Sequence, residues 1–181
     1  MIQILWMRLP NNMMTTRTTT LALLITLATI MASVESLIQS PVPFLRLGLA
    51  NGITLLVLKW YGFREGLTVT LFRVILAGLI TGRLFQPTFF LSLSGGLTAC
   101  LVMAFLLRWE SRWFSLIGIS IAGAFFHNLT QWLVASVLVR QFVGLSFLPL
   151  LFLASVVAGM MIGYFSMLID QAVRKQTGRV G

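Results

Sequence analysis

Between Trp113 and Val139 the chain reads WFSLIGISIAGAFFHNLTQWLVASVLV, without one Asp, Glu, Lys or Arg. A bilayer core about 30 Å thick is crossed by about 20 apolar residues in a helix. This stretch is long enough, and similar blocks recur along the chain between short polar breaks. Hydrophobic residues are 58% of the 181 and charged residues only 9%, against about 25% charged in an ordinary soluble domain. A water-facing surface cannot be assembled from that composition. The fold class is therefore all-α, a polytopic membrane protein whose main partner is the lipid bilayer.

Working outward from this block, six helices fit. They are expected at Thr18–Ile38, Leu47–Trp60, Leu67–Phe85, Thr88–Leu107, Trp113–Val139 and Phe147–Ile169. Pro41 and Pro43 mark a loop after helix 1, Tyr61–Gly66 a turn, and Gln86-Pro87 the end of helix 3. Helix 2 is short for a crossing unless it tilts or breaks. The organisation is an N-terminal segment 1–17, a six-helix transmembrane domain 18–170 and a basic tail 171–181. Arg8 and Arg17 before an apolar stretch resemble a signal peptide's flank, but the spans that follow make it a retained first helix. Met1, Met13 and Met14 stand as alternative starts.

Lys and Arg sort by side. Arg8, Arg17, Lys59, Arg64, Arg108, Arg112, Arg174, Lys175 and Arg179 fall at one set of ends, and Arg46, Arg83 and Arg140 at the other. Both termini are thus expected on the cytoplasmic side of the inner membrane, with Trp60, Trp109 and Trp113 at the interface. The net charge of +9 does not mark a nucleic-acid binder, because the cations are scattered and form no stripe.

The polar residues inside apolar blocks are the candidate site. Arg73 lies in the middle of helix 3, where a bare arginine costs about 2.5–3.5 kcal/mol, so it needs a partner or a cavity. Glu35, near the outer end of helix 1, can pair with Arg73 or Arg46. His127, Asn128 and Gln131 crowd helix 5, with His127 and Gln131 on one face. Asn51 and the stretch Ser92-Leu93-Ser94-Gly95-Gly96 lie at similar depth. Together they read as a pocket opening outward. The plainer reading of each is a hydrogen-bonded strut between helices. Ala28-x-x-x-Ala32, Gly48-x-x-x-Gly52, Gly78-x-x-x-Gly82 and Gly159-x-x-x-Gly163 have the spacing that lets helices approach closely in lipid.

Chemistry is sparsely provided. One His and one Cys make no zinc site, and the four carboxylates Glu35, Glu65, Glu110 and Asp170 are far apart in sequence. No aspartate-rich diphosphate motif and no phosphate-binding Gly-rich loop is present. No catalytic residue, metal or cofactor is expected.

The segments Leu47-Gly-Leu-Ala-Asn51, Phe72-Arg-Val-Ile-Leu76, Leu91-Ser-Leu-Ser-Gly-Gly96 and Gly123-Ala-Phe-Phe-His-Asn128, with Gln131, resemble one prokaryotic membrane family. It is labelled heptaprenyl diphosphate synthase component I, or Gx transporter. Glu35-Ser36-Leu37-Ile38 and the Pro41–Pro43 loop also fit, and the resemblance spans about Leu21 to Asp170. That family is similar to the S components of energy-coupling factor vitamin transporters. The resemblance implies an uptake subunit for a small solute, docked through Ala28 and Ala32 onto a membrane scaffold driven by ATPase subunits. It places Arg73, His127, Asn128 and Gln131 at the pocket, with Glu35, Arg46 and Asn51 near its lid. The enzyme label implies the alternative, a non-catalytic accessory subunit in prenyl diphosphate or quinone synthesis. A structural role in a membrane electron-transfer assembly is a third reading.

Overall fold

The computed structural model describes residues 11–37, 48–110, 114–140 and 148–176, with backbone alone for 11–16. Its regular elements are six helices: α1 (Asn11–Leu37), α2 (Leu49–Tyr61), α3 (Phe63–Ile80), α4 (Pro87–Leu106), α5 (Leu116–Val139) and α6 (Leu148–Gln176). A 3-10 turn, Leu107–Trp109, prolongs α4. The all-α bundle expected from the composition is what forms. Arg46 and the Pro41–Pro43 loop lie outside the described residues.

In α1, α4, α5 and α6 the length and apolarity suffice to cross a membrane. The other two fall short for visible reasons: α2 has 13 residues, and α3 carries Arg64, Glu65 and Arg73. Outward faces are built from large apolar side chains such as Leu23, Ile30, Phe105, Val137 and Phe165. So much exposed hydrocarbon marks a surface bathed in lipid.

Several helix ends differ from the sequence expectation. The segment 61–66 is not a turn as a whole, because Gly62 alone reverses the chain at φ 101°, and its amide donates to the Val57 and Leu58 carbonyls. At the far end of α3 a Schellman turn stops the helix at Ile80, before Phe85. Gly82, at φ 66°, donates to the Leu79 carbonyl, and the Arg83 amide donates to that of Gly78. α5 begins at Leu116, where the Ser115 hydroxyl accepts the Gly118 amide at 3.2 Å. α6 runs on past Ile169, supported by the Arg174–Asp170 pair one turn apart at 3.0 Å.

The short α2 is the post around which the bundle is built. It touches all five other helices, and Ala50 through Leu58 are buried. Leu55 and Leu58 pack with Ala99, Cys100 and Met103 of α4 and with Leu116 and Ile119 of α5. Another face, Ala50, Ile53 and Val57, meets Ala28 of α1 and Val69 of α3. Thr54 and Thr70 spend their hydroxyls on the carbonyls four residues back, so neither leaves a donor unsatisfied in the interior.

The seam between α5 and α6 is made by glycine. A Cβ on Gly159 would lie 2.5 Å from Ile121 Cα, and one on Gly163 would lie 2.7 Å from Ile117 Cα. Backbone meets backbone, so dispersion contact is dense where no hydrophobic effect is at work.

Gly159→Leu is therefore expected to destabilise the bundle by about 1–3 kcal/mol, the usual cost of overpacking. Gly118→Ala, whose added carbon would sit 3.7 Å from Ser115 Oγ, is expected to stay within about 0.5 kcal/mol of the parent. Thermal unfolding of the purified protein in detergent checks both.

Candidate functional site

The first turn of α2 begins inside protein, so its amides need acceptors there. Glu35, near the end of α1, supplies one: its Oε1 accepts the Gly48 amide at 2.5 Å. A carboxylate at a helix N-terminus also meets the positive end of the helix dipole. One turn into α2, Asn51 Oδ1 accepts from Arg73 Nη2 at 2.6 Å, which brings the guanidinium of α3 across to α2. Arg73 is 4% exposed. Room for it comes from Gly96 of α4, where a Cβ would lie 3.2 Å from Arg73 Nη2. The Schellman turn after α3 folds Arg83 back over this end, and its Nη1 donates to the Ser36 carbonyl at 2.8 Å.

These groups line a partly open cavity of about 50 Å³, bordered among others by Glu35, Gly48, Arg73, Arg83, Thr88 and His127. Donors dominate it. Two guanidiniums and an imidazole face one carboxylate, and that carboxylate already caps α2. Asn51 Nδ2, next to Gly48, and Thr88 Oγ1 are buried and have no hydrogen-bond partner among the described residues. Such a donor excess suits an oxyanion.

The helix 5 triad divides. His127 lines the cavity, and its Nε2 lies 3.0 Å from Gln131 Nε2 on the same face. That face looks at Gly95 of α4, where a Cβ would fall 2.9 Å from Gln131 Cγ and 3.1 Å from His127 Cε1. Asn128, about 100° further round the helix, turns to α6 and donates to Ser155 Oγ at 3.0 Å. The Gly95-Gly96 pair thus serves two neighbours at once, α5 and α3, and α4 stays continuous through it.

The structure gathers Glu35, Arg73 and His127 at the cavity wall, with Asn51 joined through Arg73 and Gln131 through His127. Asn128 stands apart. On α1, Ala32 lines the cavity, while Ala28 is fully buried against α2. This small-residue face is turned into the bundle, and any docking through it requires α1 to leave α2. Arg83 was readable from the sequence only as a topological charge. The Gly82 before it was the available signal, since a glycine after a helix reverses the chain.

The remaining carboxylates are at the opposite end. Glu65 pairs with Arg17, Glu110 with Lys59, and Asp170 with Lys59 at 3.1 Å and Arg174 at 3.0 Å. Trp60 Nε1 donates to Asp170 at 2.8 Å. Among the described residues, no three of His, Cys, Asp and Glu come together.

The sequence model of one family, described as heptaprenyl diphosphate synthase component I, matches residues 24–169. No curated protein and no solved structure matches the chain.

Glu35→Ala is expected to lower stability by about 0.5–2 kcal/mol through loss of the α2 cap, with Glu35→Gln recovering part of it. Asn128→Ala is expected to cost about 0.6 kcal/mol, the mean for a membrane hydrogen bond. Equilibrium unfolding in mixed micelles measures all three.

Proposed function

We propose a solute-binding role for this chain, which belongs to that family. In this reading it is the membrane-embedded, S-component-like subunit of an uptake system, capturing a small acidic solute and energised by separate ATPase partners. The observation that carries it is the convergence of Arg73, Arg83 and His127, from α3, the α3–α4 turn and α5, on one cavity. The solute's carboxylate or phosphate would sit against the guanidiniums, oriented by His127 and, through it, Gln131. Asn51 holds one arm of Arg73 and so sets the direction of the fork.

At about 50 Å³ the cavity has room for a water or two, whose share of liquid volume is about 30 Å³ each. A solute of vitamin size would enter if α1 swings away from α2 and α3. Of the candidate spans α1 is the least buried, so this motion disturbs the fewest contacts. The same swing would uncover Ala28 and Ala32 for a membrane scaffold.

The reading places α2 and α3 as further spans, six in all, with both termini cytoplasmic in the inner membrane. The charge distribution supports this. Arg17, Lys59, Arg64, Arg108, Arg174 and Lys175 belong to one set of helix ends, and Arg83 and Arg140 to the other. A second reading, a non-catalytic membrane subunit for prenyl diphosphate synthesis, is favoured by the name of the family. Under it the chain would lend position and no chemistry, since each described carboxylate already serves a helix end.

Reconstituted with scaffold and ATPases in vesicles, the protein is expected to give ATP-dependent accumulation of an acidic solute. Arg73→Met should weaken solute binding about 10- to 100-fold, as for a lost charge-assisted hydrogen bond. Ala28→Leu with Ala32→Leu should abolish uptake and leave the chain in the membrane. Accumulation that needs neither arginine nor ATPases sinks the proposal. Altered product length in a prenyl diphosphate synthase assay, on adding this chain, would favour the second reading.

A further inference from the structure

A groove at the other end of α2 has no part in the site above. It lies between the α2–α3 turn and the last turns of α4 and holds about 690 Å³, within the ~300–1,000 Å³ span of small-molecule sites. Its cause is a mismatch of length. α2 stops at Tyr61 and Gly62 puts no side chain into the corner, whereas α4 and its 3-10 turn run on to Trp109. The uncovered flank of α4 presents Leu101 and Phe105, each 54% exposed, opposite Leu58 and Phe63. Trp109 braces Phe105 edge-on at 4.6 Å. An indole at a span's end marks the level where acyl chains give way to water.

The charges of the groove lie near that level. Lys59 and Glu110 neutralise one another, and Lys59 also engages Asp170. Arg108 is exposed on the groove wall and makes no salt bridge among the described residues. Arg64, beside Phe63 at the start of α3, is exposed as well. We infer that this groove binds an anionic phospholipid, with an acyl chain along Leu101 and Phe105 and the phosphate on Arg108. A free anion would leave the apolar wall unused, and a zwitterionic lipid would bring its own cation against Arg108.

The test uses the full chain in a mild detergent, titrated with phosphatidylglycerol or phosphatidylcholine of matched acyl chains and read by native mass spectrometry. Phosphatidylglycerol is expected to be retained about fivefold better, the ratio one interfacial arginine supplies. Arg108→Gln should erase that preference and Arg108→Lys should keep it, each with the parent's thermal midpoint. Ala104→Trp, which fills the groove, should lower retention of both lipids. Equal retention of the two lipids by the parent overturns the inference, as does a preference that survives Arg108→Gln. Displacement of phosphatidylglycerol by equimolar inorganic phosphate also overturns it, because the acyl chain would then contribute nothing.

Discussion

A helix of 13 residues spans about 20 Å, and the bilayer core about 30 Å. Placed at the centre of longer neighbours, α2 starts inside protein, where unsatisfied amides cannot turn to water, and ends half-buried beside their longer flanks. The rest of the architecture answers that constraint. At one end Glu35 accepts the Gly48 amide and Arg73 reaches Asn51. At the other, Gly62 caps two carbonyls, and Lys59 and Trp60 tie the last turn to Glu110 and Asp170. The cavity and the groove are the two spaces left where a short post meets long walls.

Charge follows the same logic. Four carboxylates in so apolar a chain would be costly anywhere at depth, and each has a donor beside it, Glu35, Glu65 and Glu110 at helix ends and Asp170 within α6. Three of them face basic side chains at one end of the bundle, and the fourth faces a backbone amide. The cavity end is thereby left with more cationic than anionic side chains. The imbalance comes from where the acids were used.

Composition and block length made the helical bundle legible, because the lipid requirement is written in every apolar stretch. Turns were less legible. Gly62 and Gly82 each reverse the chain through a positive φ. Gly62 falls in the segment read as a turn, but Gly82 falls inside the block read as helix 3, where the glycine was the one sign that the helix had ended. The candidate site was partly legible. Arg73, Glu35 and His127 stood out as polar groups in hydrocarbon, and they meet at one cavity. Arg83 did not, because a residue beyond a helix end looks like solvent-facing charge until the turn is known. His127, Asn128 and Gln131 read as one group by nearness in sequence. Yet the rotation of about 100° per residue sends Asn128 to α6 while the other two face α4.

The Asn128–Ser155 contact links residues 27 apart on successive helices. Neither amide nor hydroxyl is welcome among acyl chains, and α5 carries His127 and Gln131 besides. During synthesis α5 emerges before α6, so Asn128 still lacks Ser155, whereas His127 and Gln131 can already meet α4. Release of α5 into the membrane is therefore most favourable once α6 has followed it, so the two helices should leave the insertion machinery as a hairpin.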